Sequence, residues 1–242
     1  MVKKMKKMKK ILVLLSALLS LGVVAEGEGK HEMHAFYFLN VKNPAVVIGA
    51  LDKFSASDCG KQLPADVGLM NERINGSAAS THFIIVSYEK MADFRKVDAL
   101  MQSCPEGAAM LQEIGSGSDP VSEFAVIPAI EVGDWGKDSV FMKYDMSVSD
   151  EAAYGAAWTE LMDANTADGT VISSYGLNRI FLGNNDASHF VYIGAKDFET
   201  LTANQATLTS SRAFTKFSRK VSKLRKVLNT SLIVPVKAWP KQ

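Results

Sequence analysis

The sequence predicts an α+β protein built from two tandem βαββαβ repeats, and three observations carry that prediction. The first is self-similarity. Shifted by 107 residues, Val41 meets Val148 and Ala45 meets Ala152, and Val47, Ala50, Leu51 and Phe54 meet Tyr154, Ala157, Trp158 and Leu161. Gly76 meets Gly183, Thr81-His82-Phe83-Ile84 meets Ser188-His189-Phe190-Val191, and Val126-Ile127-Pro128 meets Ile233-Val234-Pro235. One register held across separate blocks is the mark of an internal duplication. The second observation is that both copies run through the same order of strand and helix periods. The third is length, since 242 residues are about 25 for an export segment plus two copies of a unit near 107.

Residues 1–25 read as a secretory signal peptide rather than as part of the fold. Six lysines between Lys3 and Lys10 precede an uncharged stretch, Ile11 to Ala25, which closes on Val23-Val24-Ala25 before the polar Glu26-Gly27-Glu28-Gly29. That is the three-part pattern of an export signal. Its 15 uncharged positions fall short of the roughly 20 that a spanning helix needs. The lysine-heavy start looks bacterial, so the expected location is the periplasm or the exterior. The first repeat is then 26–133 and the second 134–242.

Within each repeat the elements follow in order. Ala35, Tyr37, Leu39 and Val41 alternate as a strand, as do Met142, Tyr144, Met146 and Val148. The quartets Val47/Ala50/Leu51/Phe54 and Tyr154/Ala157/Trp158/Leu161 have the i, i+3, i+4, i+7 spacing of one helix face. Asn43-Pro44 opens the first helix as cap and first-turn proline. Ser149-Asp150-Glu151 opens the second with acids at the positive end of its dipole. Second strands follow near 67–75 and 171–182, and third strands at 81–88 and 188–195 after turn-rich segments. A longer helical region comes next, broken at Ser103-Cys104-Pro105 and near Ser210. The last strands are expected at 123–129 and 231–236, with a linker over Glu131–Asp138.

A split βαβ unit makes a four-stranded antiparallel sheet with both helices on one face. Two such sheets can cover each other's bare faces. On this element order and duplication the chain resembles the dimeric α/β-barrel superfamily of ferredoxin-like units, fused here in one polypeptide. That resemblance implies a cavity between the sheets and, in some members, cofactor-independent monooxygenase activity or haem bound through a histidine. No catalytic motif of such a family is matched.

Composition narrows the functional classes. The precursor carries 27 basic and 26 acidic residues, a net of +1, with 47% hydrophobic and 22% charged residues. That excludes a disordered, collagen-like or multi-span membrane chain. Removing residues 1–25 leaves 21 basic against 26 acidic side chains, a net of −5. No C-x-x-C, C-x-x-C-H, H-E-x-x-H, G-x-S-x-G or G-x-x-x-x-G-K pattern is present, so hydrolase and nucleotide chemistry lack their usual marks. Nucleic acid is not an expected partner.

The candidate site residues come from the strand faces. Opposite the helix-facing positions of the first strands stand Phe36, Phe38 and Asn40 in one copy and Phe141, Lys143 and Asp145 in the other. If that face lines a cavity, Lys143 and Asp145 either address a ligand's polar group or form a structural pair, since buried charges demand partners. His82 and His189 hold equivalent positions. They are either ligand-binding or acid–base groups, or turn-stabilising residues copied by duplication. His31 and His34, flanked by Glu28 and Glu32, could hold a soft divalent ion loosely, but they lack a full ligand set and lie near a terminus, so no metal site is expected.

Cys59 and Cys104 both fall in the first copy; a disulfide between neighbouring helices and two buried free thiols are the main open states, with a catalytic thiol a third. The stretch 212–226 reads as an amphipathic helix with Arg212, Lys216, Arg219, Lys220, Lys223, Arg225 and Lys226 on one face. That face is either solvated or a dock for an anionic partner. The corresponding segment of the first copy, 105–119, has no basic residue.

The expected protein is therefore an exported monomer or homodimer, not integral to a membrane once its signal is removed. It binds a small apolar or amphipathic ligand between its repeats, and no cofactor is assigned. A cofactor-independent monooxygenase or haem-handling enzyme is one alternative. A cell-envelope interaction module using the basic helix is another.

Overall fold

Each repeat begins with a strand whose two faces differ, and the rest of the architecture follows from covering both. The computed structural model describes residues 31–167, 172–183 and 186–242; the expected export segment lies outside them. The first repeat comprises β1 (Met33–Val41), α1 (Pro44–Ala56), β2 (Asp66–Ile74), β3 (His82–Tyr88), α2 (Asp93–Ser103), α3 (Pro105–Gly117) and β4 (Ser118–Val132). The second comprises β5 (Val140–Val148), α4 (Glu151–Ala167), β6 (Ser174–Leu182), β7 (His189–Ala195), α5 (Phe198–Ser210), α6 (Arg212–Val221) and β8 (Arg225–Trp239). The fold is mixed α+β and of the dimeric α/β-barrel type.

The two sheets do more than face each other. All eight strands close into one antiparallel barrel in the order β1-β3-β2-β8-β5-β7-β6-β4. Its two seams, β2–β8 and β4–β6, join one repeat to the other. This explains why the last strand of each copy has 15 residues rather than the six or seven expected. β4 pairs with β1 along Ser118–Val126 and with β6 along Ala125–Val132. β8 pairs with β5 along Arg225–Ile233 and with β2 along Leu232–Trp239. The register slips beside Pro128 and Pro235, where proline has no N–H for the ladder and a bulge accommodates it.

The helix quartets are buried as their spacing requires. Val47, Ala50, Leu51 and Phe54 are buried on α1, and Tyr154, Ala157, Trp158 and Leu161 on α4. Leu39, Leu69 and Ile84 meet α1 from the sheet, and so does Trp239 from the second repeat. The Trp239 indole donates to Asp52 at 2.7 Å. The repeats therefore share core as well as hydrogen bonds.

The duplicated hydroxyl–histidine pair has a structural explanation. The Thr81 hydroxyl accepts from Val41 N–H at 2.9 Å and lies 2.9 Å from His82 Nδ1. The Ser188 hydroxyl accepts from Val148 N–H at 2.9 Å and lies 2.9 Å from His189 Nδ1. The turn before each pair holds its glycine, Gly76 or Gly183, at positive φ, where a Cβ is disfavoured.

Two boundaries differ from the sequence expectation. The predicted linker begins too early, because Glu131 still pairs with Gly176 within β4. The chain turns at Gly133, at a φ of 80°, where an added Cβ would meet Ser173 O at 2.1 Å. The amphipathic helix expected over 212–226 ends at Val221. Arg225 and Lys226 instead begin β8, because β5 offers them strand partners at Val148 and Ser147. The helical region after β3 breaks where the sequence placed the break, as two helices that meet at Cys104, and Cys104 is joined to Cys59 by a disulfide.

Candidate functional site

Strand alternation sends one set of side chains into the barrel. Phe36 and Phe38 of β1, Met70 of β2, Phe83 and Ile85 of β3, Phe124 and Val126 of β4, Phe141 of β5, Phe190 of β7 and Ile233 of β8 form the interior cluster. Phe36 stacks on Phe124 with ring centroids 5.1 Å apart and meets Phe190 edge-on at 5.5 Å. The remaining void is about 70 Å³, room for a small group among aromatic walls.

Lys143 and Asp145 project into this interior from β5, at the positions that Phe36 and Phe38 hold in the first copy. Lys143 is 4% exposed. Its Nζ lies 2.5 and 2.6 Å from the two Asp145 carboxylate oxygens, and 5.1 Å from the Phe190 ring centroid. The pair is thus satisfied internally, and the lysine is further held by a cation–π contact. Glu72 is buried nearby, and burial pushes its carboxyl up against the opposing pull of Ser80 and Lys143.

His82 and His189 are buried on the helix side of the barrel wall. They alternate with Phe83 and Phe190, which point inward. Each has both ring nitrogens engaged: His82 with Thr81 and Asn71, His189 with Ser188 and Glu151. The structure does not bring them into the interior with Lys143 and Asp145.

The barrel mouth holds a group that sequence reasoning assembled only in part. His31 and His34 are not on a loose terminus; both are buried where the chain enters β1. Glu131, near the end of β4, stands between them. Its oxygens are 3.9 Å from His31 Nδ1 and 3.6 Å from His34 Nε2, too long for hydrogen bonds. On the outer sides, His31 Nε2 meets Asp66 at 3.1 Å and His34 Nδ1 meets the Ser87 hydroxyl at 2.8 Å. His31 Nδ1 and Glu131 Oε2 are buried with no hydrogen-bond partner among the described residues. Burial works to raise the Glu131 carboxyl, yet the two imidazoles overcome it and hold the group at about 2. Burial lowers His34, whereas Glu131 and Asp66 outweigh burial at His31 and raise it.

Outside this group lies a cleft of about 550 Å³, walled by His31, Asp66, Glu131, Trp135, Asp138 and Pro235. The Trp135 ring is 6.4 Å from that of His31. The only sequence cue to Glu131 was its place beside the repeat boundary. Nothing local marks it as a neighbour of residues about a hundred positions earlier.

Three of the seven basic residues are engaged within the fold, and Arg212, Arg219, Lys223 and Lys226 are exposed. Lys216 and Lys220 both pair with Glu160, and Arg225 lies over the Phe217 ring at 5.0 Å. Among the described residues no helix is long and apolar enough to cross a membrane.

Haem does not fit the interior as the residues stand. The void of about 70 Å³ compares with roughly 300–1,000 Å³ for pockets that enclose a drug-sized ligand. His82 and His189 face away from the void, and His34, which borders it, directs its Nε2 at Glu131 while Ser87 engages its Nδ1.

No family model and no curated protein matches the chain. Solved structures of the same fold do. A monooxygenase candidate from Lactobacillus acidophilus NCFM has a TM-score of 0.57 at 9% identity, covering 87% of this chain and 97% of that one. An anthrone oxidase-like protein has a TM-score of 0.58 at 10% identity, with 87% and 93% coverage. A heme-binding protein from Thermus thermophilus has a TM-score of 0.52 at 6% identity, with 86% and 92% coverage. At these identities the likeness is one of fold.

Proposed function

We propose that this is an exported protein that binds a small amphipathic molecule at the mouth of its barrel, its polar end toward His31, Glu131 and Asp138 and its apolar part against Trp135 and Pro235. The observation that carries this reading is the cleft of about 550 Å³. It has the size of a small-molecule site and a few convergent buried polar groups in an apolar wall. The Cys59–Cys104 disulfide agrees with an oxidising compartment. Lys143 and Asp145 hold each other and serve the barrel's interior, one layer below the ligand.

Native mass spectrometry of protein purified from its own host tests the reading. The expected result is a co-purified small molecule that is lost from a Trp135→Ala chain with unchanged circular dichroism. A chain that is empty, or an adduct that persists in the Trp135→Ala chain, would overturn it.

A second reading is cofactor-independent oxygenation. Of two proteins of similar fold, one is named a monooxygenase and the other anthrone oxidase-like, and the small void beside the cleft is bordered by His34, Asn178 and Lys143. Oxygen uptake with an electron-rich phenolic or anthrone-type substrate, in metal-free buffer, separates this reading from simple binding.

A further inference from the structure

The outward partners of the two mouth histidines decide which lone pairs remain. With Asp66 accepting from His31 Nε2–H and Ser87 engaging His34 Nδ1, the nitrogens left as acceptors are His31 Nδ1 and His34 Nε2. Both are directed at Glu131. The donor atoms of all three residues lie within 4.8 Å of one another, and all three residues are buried. Three acceptors converge with no proton between them at neutral imidazole, and His31 Nδ1 and Glu131 Oε2 lack any hydrogen-bond partner among the described residues. Buried polar groups left this way need a partner.

We propose that His31, His34 and Glu131 hold one divalent transition-metal ion of the zinc or ferrous class, with its remaining positions open to the mouth cleft. Two imidazoles and one carboxylate are a ligand set that such ions accept while keeping sites for water or substrate. The outer shell is also present. Asp66 behind His31 is the carboxylate–histidine arrangement that fixes tautomer and ring orientation, and Ser87 does the same for His34. Binding would draw the donors together: two donors each ~2.1 Å from one ion sit about 3.0–3.4 Å apart, whereas here His34 Nε2 is 3.6 Å from Glu131 Oε2, His31 Nδ1 is 3.9 Å from Oε1, and the three ligand atoms lie within 4.8 Å of one another. The sequence expectation of no metal site treated His31 and His34 as a mobile pair without a third ligand. The fold buries them and delivers that ligand from β4.

The test uses the full, untagged chain stripped with a chelator. Calorimetric titration with Zn(II) is expected to show one saturable equivalent, and Co(II) to give visible absorption bands. Glu131→Gln and His34→Ala should each weaken Zn(II) by more than about 100-fold, and Asp66→Asn by ~10–100-fold. Lys42→Met, an exposed substitution beyond the far end of β1, should leave the affinity unchanged. Absence of Co(II) bands or of saturable Zn(II) uptake by the unsubstituted chain overturns the proposal whatever the variants do. Equal affinity in Glu131→Gln overturns it as adventitious binding. The proposal stands apart from the small-ligand reading, because a chain that takes up Zn(II) but carries no adduct keeps the metal site and loses only the other.

Discussion

Replacing Lys143 by Met removes a buried ammonium while keeping an unbranched side chain of similar length. In the parent chain Lys143 Nζ sits 2.5 Å from an Asp145 oxygen, which at an effective dielectric near 20 corresponds to an attraction of about 7 kcal/mol before desolvation is charged against it. The variant leaves Asp145, whose side chain is 14% exposed, as an unpaired carboxylate in an aromatic interior that already contains the buried Glu72. Breaking one side of a buried pair costs ~3–5 kcal/mol. For a chain of this size that is a fall in melting temperature of roughly 6–20 °C. The double variant Lys143→Met/Asp145→Leu removes both charges and should recover most of the loss, since apolar replacement of a buried pair is often neutral or better. Guanidinium unfolding of the four chains forms a double-mutant cycle, with an expected coupling of at least ~2 kcal/mol. A Lys143→Met chain as stable as the parent would refute the reasoning, because Asp145 would then not depend on its partner.

Three further outcomes are expected. Glu72→Gln should stabilise the fold at pH 7 and have little effect at pH 4. Burial raises the Glu72 carboxyl above its ordinary 4.5, so its contribution is present below that value and lost as pH rises through the folded-state value; denaturation midpoints at the two pH values check this, and an equal effect at both would contradict it. Cys59→Ser/Cys104→Ser opens a 45-residue loop and should cost about 4 kcal/mol by loop entropy, read as an equal loss on adding reductant to the parent chain. Gly194→Ala would place a Cβ 2.2 Å from Asp138 Oδ2 and 2.6 Å from Ser174 Oγ, splitting the buried Asp138–Ser174 hydrogen bond. It should cost ~1–3 kcal/mol, and an unchanged melting temperature would show that the pair can move aside.

Much of the fold was legible because it rests on local period and on repetition. The α1 and α4 quartets are buried as their spacing demands, and the Tyr37/Leu39 and Phe36/Phe38 faces of β1 divide between helices and interior as alternation requires. The candidate site was legible only in fragments. His82 and His189 stood out because they were duplicated, and duplication preserved them as turn supports with both nitrogens occupied. Lys143 and Asp145 stood out as charges on an inward face, and the structure pairs them. Glu131 did not stand out at all, since a lone glutamate near a linker has no local pattern to betray it.

By itself the sequence determined the two repeats, the order of their elements, the helix faces that bury and the strand faces that turn inward. These are properties of neighbours within a few positions, and backbone periodicity expresses them directly. Tertiary structure alone decided that the two sheets close into a single barrel, that β4 and β8 run long enough to serve both repeats, and that His31, His34, Asp66, Ser87 and Glu131 meet at one rim. Those are matters of strand register between distant segments. Register depends on the hydrogen bonds and side-chain packing of whole strands against one another, and no stretch of sequence carries that information alone.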